Sequence, residues 1–143
     1  MLIGEFTHTI DLKKRLAIPS KLRKDLGTKA VITRGLDNCL FIFTQKEWQE
    51  LAKKISALPF GDKDSRNFSR LILAGASEVS LDSLGRILVP DYLRNYAQLK
   101  KNVVIVGLNT RLEVWDKTKW EIFKQQGEKE VDNIAERLGE LGI

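Results

Sequence analysis

The chain has 143 residues, 43% hydrophobic and 30% charged, a composition that supports a folded core in one ordinary domain or two very small ones. No run nears the roughly 20 consecutive apolar residues of a membrane-spanning helix, the opening Met1-Leu2-Ile3-Gly4-Glu5 lacks a secretion-signal layout, and the single Cys39 excludes an internal disulfide or a cysteine-rich metal site, so a cytoplasmic protein is expected. The net charge of +5 and pI near 9.4 favour an acidic partner, and the charge is uneven: residues 128–143 are net −3, leaving +8 on residues 1–127.

Along the chain, Glu5 to Ile10 and Arg15 to Ile18 read as short strands about the polar turn Asp11-Leu12-Lys13-Lys14. Pro19 then stands where a short helix begins, because proline is tolerated in a first turn. Lys13, Lys14, Arg15, Lys21, Arg23 and Lys24 follow one another with no acid among residues 13–24. Such a run is either a solvated helix face or a phosphate-contacting surface. Lys29 to Arg34 and Cys39 to Thr44 read as strands flanking the turn-rich Gly35-Leu36-Asp37-Asn38, and Cys39, heading an apolar run, is expected to pack in the interior. Trp48, Leu51, Ala52 and Ile55, spaced by three and four, give a helix with one apolar face. Phe60-Gly61-Asp62-Lys63-Asp64 marks a break, and Arg66 to Ala74 reads as a linking helix with Phe68, Leu71 and Ile72 facing inward. Arg66 and Arg70, one helical turn apart, offer a second strip for an anion or another subunit.

The remainder repeats this pattern. Ile10 to Arg23 recurs as Leu81 to Arg94 at an offset of 71, with Asp, Arg, Pro, Leu and Arg coinciding. Val31 to Leu36 is answered by Val103 to Leu108, and Trp48 by Trp120, at an offset of 72, which one inserted residue accounts for. In the second copy Gly85 supplies the turn residue, Pro90 opens a helix, Gly107-Leu108-Asn109-Thr110 joins the hairpin, and Trp120 and Phe123 belong to the closing helix. After Gly127, the residues Val131, Ile134, Ala135, Leu138 and Leu141 predict a C-terminal helix with an apolar stripe. The expected layout is a first half over 1–58, a linking helix over 59–76, a second half over 77–126 and a C-terminal helix over 127–143. A half of this size buries little and leaves strand edges unpaired, so the two halves are expected to share one core about a pseudo-two-fold axis, in an α+β, β-rich domain.

The repeated element with least packing purpose is Asp-x-x-x-Arg, at Asp11 to Arg15 and Asp82 to Arg86. An arginine on an ordered turn can present its fork to phosphate or to a guanine edge while a carboxylate holds it in place; equally, each pair can simply pin its own hairpin. Lys13 and Lys14 charge the first turn, whereas Ser83-Leu84-Gly85 adds nothing to the second. Enzyme signatures are missing: His8 is the only histidine, lies in a strand between two threonines and has no G-x-S-x-G turn to serve, and no P-loop, Rossmann pattern or zinc spacing occurs. Catalysis, cofactor and metal are therefore not expected. Trp48, Trp115 and Trp120 fall in apolar patterns that suit core packing better than base stacking. The rival to nucleic-acid binding is a protein-interaction or scaffold module, motivated by the C-terminal stripe and the unequal charge of the turns.

The whole chain resembles the MraZ family, whose halves are related to AbrB-type swapped-hairpin DNA-binding domains. The resemblance is carried by Asp11-x-x-x-Arg15 with Pro19, Arg70 to Glu78, Asp82-x-x-Gly85-Arg86 with Pro90, and Leu112-Glu113-Val114-Trp115-Asp116 before Trp120. It implies a duplicated swapped-hairpin (double-split) β-barrel with short peripheral helices and a C-terminal helix. It also implies a bacterial transcription regulator, nucleoid-associated, that binds short direct repeats in double-stranded DNA upstream of the division and cell-wall gene cluster as a ring-shaped homo-oligomer, with no small-molecule substrate. Carried over, it makes Arg15 and Arg86 the principal DNA contacts, Asp11 and Asp82 their positioning partners, Lys13 and Lys14 phosphate contacts, and Gly85 the turn residue. The departure is Lys14, where the pattern has glycine; it bears on the geometry of the first turn and its share of binding.

Overall fold

The computed structural model describes residues 1–142. The first half runs β1 (Ile3–Thr9), β2 (Arg15–Ala17), α1 (Ser20–Leu26), β3 (Lys29–Arg34), β4 (Leu40–Thr44) and α2 (Gln45–Ser56). After α3 (Lys63–Ala74), the second half runs β5 (Ser77–Ser80), β6 (Arg86–Leu88), α4 (Asp91–Tyr96), β7 (Asn102–Leu108), β8 (Leu112–Asp116) and α5 (Lys117–Arg137), followed by a 3-10 turn at Gly139–Leu141. Local chemistry explains the boundaries. Pro19 and Pro90 stand just before α1 and α4, and Thr44, Asp62 and Asp116 cap α2, α3 and α5 by accepting backbone N–H groups from Glu47, Ser65 and Lys119. The expected start of a C-terminal helix after Gly127 is corrected: α5 begins at Lys117 and passes through Gly127 unbroken, because one glycine costs a helix only about 1 kcal/mol and good helix formers surround it.

The main sheet has the order β1-β7-β8-β4-β3-β5, and β2 pairs with β6 in a separate ribbon. Exchanging β1 with β5, β3 with β7 and β4 with β8 gives the same order reversed, so a pseudo-two-fold axis passes between β4 and β8. The partners are swapped: β1 of the first half lies on β7 of the second, and β5 of the second on β3 of the first, each pair antiparallel. One core cluster results, with Leu16, Ile18 and Leu22 from one half packed among Ile87, Val89 and Leu93 from the other. A smaller cluster of Cys39, Val104, Val106 and Trp115 takes in Phe41 and Trp120, and Trp115 lies 5.5 Å from both the Trp120 and Phe123 rings. With Trp48 5.8 Å from Phe43, all three tryptophans pack as expected, and burial pushes the Cys39 thiol far up, leaving it unreactive.

Two sequence expectations change. Strand pairing places Ala30 opposite Thr44 and Val103 opposite Asp116, so β3 and β7 correspond at an offset of 73, while β4 and β8 keep 72. The second copy therefore gains two residues between α4 and β7, Gln98 and Gly27 both having positive φ before the insertion, and loses one in its hairpin. Both strands are near-continuous apolar runs, and such runs carry no alternation to fix register. In α3 only Ile72 turns inward, at 4% exposure, while Phe68 and Leu71 stay 39% and 53% exposed. The helix lies along one side of the sheet, and its C-terminal carbonyls at Ile72 and Leu71 accept from Thr33 Oγ1 at 2.6 Å and Arg34 Nη1 at 2.9 Å.

Candidate nucleic-acid interface

The two repeated turns are built alike, atom for atom. In the first, the Asp11 carboxylate accepts from the backbone N–H of Lys13 at 2.8 Å and of Arg15 at 2.9 Å, and from Arg15 Nε at 3.2 Å. In the second, Asp82 accepts from Leu84 N–H and Arg86 N–H at 2.9 Å each, and from Arg86 Nε at 2.8 Å. Each turn closes with an N–H donated back to the aspartate carbonyl, by Lys14 at 3.0 Å and by Gly85 at 2.9 Å. The donating residue sits in left-handed backbone in both, φ 64° at Lys14 and 73° at Gly85. This is a three-residue hairpin loop whose last position is normally glycine. Lys14 adopts the geometry of Gly85 at a cost on the order of 1 kcal/mol, and the first turn is not deformed by its lysine.

The ribbon decides where the arginines point. In the β2–β6 register Leu16 faces Ile87, both are buried, and the alternation of a strand sends Arg15, Ala17, Arg86 and Leu88 to the opposite side. Arg15 and Arg86 thus lie on one outward face, diagonal to each other, 30% and 27% exposed at their side chains. Arg86 Nη1 also comes within 4.0 Å of Asp11, so the turns are electrostatically joined across the pseudo-axis. Backbone N–H donation holds the Asp11 and Asp82 carboxyls below the usual range, the neighbouring arginines adding to the effect, so both are ionised at neutral pH. The aspartates therefore both pin the hairpins and orient the arginine forks, leaving terminal guanidinium nitrogens for a ligand.

Lys13 and Lys14 are exposed on the first turn, and Leu12 and Leu84 project from the two loop tips. Arg66 does not join this face: its Nη1 donates to the carbonyls of Phe60 and Gly61 at 3.1 Å each, tying down the loop before α3, while Arg70 reaches Asn67. His8 lies half-buried in β1, and burial, with the charge of Arg23, lowers its pKa so that it is neutral at neutral pH. Sequence reasoning set Arg23 in a basic run, on a solvated helix face or against phosphate, and gave Arg94 no role; both brace the ribbon from below by donating Nε to the carbonyls of Ile18 at 2.7 Å and Val89 at 3.2 Å. Their matching places in the duplication were the available signal. Arg23 additionally rests on Gly85, where an added Cβ would collide with it.

A family model described as "MraZ protein, putative antitoxin-like" matches the chain twice, over residues 1–71 and 72–140. Proteins named "Transcriptional regulator MraZ" are similar to the chain along its whole length: the one from Acetivibrio thermocellus is 50% identical over 143 residues, covering 100% of both chains, and the one from Natranaerobius thermophilus 48% with the same coverage. That from Thermoanaerobacter sp. strain X514 is 46% identical, again over all of both chains.

Proposed function

The chain belongs to the MraZ family, whose members similar to it are named transcriptional regulators, and from that premise we propose that it is a DNA-binding regulator reading duplex DNA with the paired turns at Asp11–Arg15 and Asp82–Arg86. One observation carries the reading: Arg15 and Arg86 stand diagonally on the same outward face of a ribbon, each held by its own aspartate. A guanidinium so held meets a guanine edge or a phosphate without losing much side-chain freedom. Lys13 and Lys14 add phosphate contacts, and Gly85 keeps the second loop tight against Arg23.

The targets are short direct repeats upstream of the division and cell-wall gene cluster, including the chain's own gene, bound by a ring-shaped homo-oligomer associated with the nucleoid. Support for self-association comes from α5, where Ile122, Phe123 and Val131 are exposed, and from Phe68 and Leu71 on α3. Head-to-tail contacts in a ring suit repeats of one direction, and the raised effective concentration lets each small module contribute. A scaffold role for the same apolar faces is the second reading.

Binding to duplexes of the upstream region is measured against scrambled ones between 50 and 200 mM salt. About 6–10 phosphate contacts predict a loss of order 10³–10⁵ in affinity over that range. Arg15→Ala and Arg86→Ala should each weaken specific binding by about 1–3 kcal/mol with fold and particle size retained. Equal affinity for native and scrambled duplexes sinks the regulatory reading. Sedimentation at micromolar concentration should give a closed oligomer; a monomer bound to DNA removes the ring.

A further inference from the structure

The two turns share one backbone, yet their flanks differ. Beside the first opens a cleft of about 550 Å³ whose lining includes Thr9, Asp11, Lys14, Arg94, Lys100 and Lys101. Two features of the chain make it. Arg94 keeps the bond to the Val89 carbonyl that Arg23 makes to Ile18, but its terminal nitrogen pairs with Asp91, where the first half has Ser20, whereas Arg23 lies against Gly85 in the space that a Cβ there would take. The two residues gained between α4 and β7 then wall the opening with Leu99, Lys100 and Lys101, where the first half has only Thr28 between Gly27 and Lys29.

The lining is strongly cationic. Its one carboxylate, Asp11, is already engaged by Arg15 and by two backbone N–H groups. Lys14, Lys100 and Lys101 are exposed, and among the described residues no carboxylate lies within 4.0 Å of their amino groups. An anion of high charge density suits such a cleft, and Asp11 and Lys14 belong to the turn that carries Arg15, so a duplex read by Arg15 would bring its phosphates near.

We propose that this cleft is a phosphate site receiving one backbone phosphate of the bound duplex, and that its presence on one side only of the pseudo-two-fold axis fixes the direction in which the protein sits on DNA. The inference rests on the DNA-binding reading above. It adds a polarity within each subunit to the polarity of a head-to-tail ring: the pseudo-symmetric pair of arginines alone would read a site alike in either direction.

The test uses the full chain with Lys100→Gln and Lys101→Gln together, both exposed, on an upstream duplex that the unaltered protein binds. The slope of log affinity against log salt should shrink by about 1, the share of one phosphate, and ethylation interference should lose a signal on one side of the footprint while the rest persists. An unchanged slope with a symmetric footprint, while Arg15→Ala still weakens binding, overturns the inference and leaves the DNA-binding reading standing. If the unaltered chain binds no duplex, both fall. Tripolyphosphate is titrated without DNA as a separate arm: if it perturbs the amide signals of Lys100 and Lys101, and the double variant abolishes that without altering the DNA footprint, the cleft serves a free phosphate and the backbone assignment is overturned.

Discussion

At position 14 a lysine and at position 85 a glycine hold the same left-handed backbone, and the difference between them is felt in their neighbours rather than in the turn. Three hydrogen bonds to each aspartate over-determine the loop, which is how Lys14 remains in a region that L-residues rarely adopt. The reverse exchange is harsher. A Cβ on Gly85 meets Arg23 Cδ at 2.7 Å, so Gly85→Ala combines backbone strain with displacement of an arginine that braces the ribbon. A stability loss of about 1–2 kcal/mol is expected, read as a lower urea midpoint at constant slope. A midpoint equal to that of the parent means that Arg23 relocates freely and does not support the turn. Sequence spacing identified both Asp and Arg pairs, but the bracing by Arg23 and Arg94 follows from the swap, which sets each beside the other half's turn.

Among the elements, the β4–β8 pair at the pseudo-axis contains a buried polar group, which the motif Leu112 to Asp116 included without stating its role. Glu113 on β8 is buried, accepts from Arg111 Nη2 at 2.9 Å and from Trp115 Nε1 at 2.9 Å, and Arg111 in turn lies 4.7 Å over the Phe41 ring of β4. Removing the carboxylate leaves two donors facing an apolar surface. Because Arg111 keeps some solvent contact, Glu113→Ala is expected to cost about 2–3 kcal/mol, and Glu113→Gln distinctly less since it retains an acceptor. Thermal unfolding of the two variants checks this, and equal melting temperatures for both would show that the hydrogen bonds contribute nothing. Sequence patterning placed the four strands of the first half within about two residues, and the duplication carried the pattern into the second. It failed on β7 against β3 and on the buried face of α3, since unbroken apolar runs do not state register and a helical stripe does not state how much of it a neighbour covers.

For the whole molecule, strand exchange makes the halves interdependent. β1 bonds to β7 and β3 to β5, while β2 bonds only to β6 beyond its own bridge. A fragment ending at residue 75 would keep β1 and β2 without the strands that pair with them, and Leu16, Ile18 and Leu22 without the opposite wall of their core. Its amide spectrum is therefore expected to be that of an unfolded monomer, or of a dimer in which a second copy supplies the missing half. A folded monomeric fragment contradicts the swapped arrangement. The full chain should unfold in one cooperative transition, as one shared core requires.

The amino-acid order alone determined the duplication, the strand and helix content, the paired Asp-x-x-x-Arg turns and the family, because these depend on local spacing, turn chemistry and periodicity. Only the tertiary structure decided that the arginines share one face, that Lys14 reproduces the glycine turn, and that the flanks of the two turns differ. Those outcomes depend on which strand of which half lies alongside, and contacts between residues some 70 positions apart are set by packing and register that no local pattern encodes.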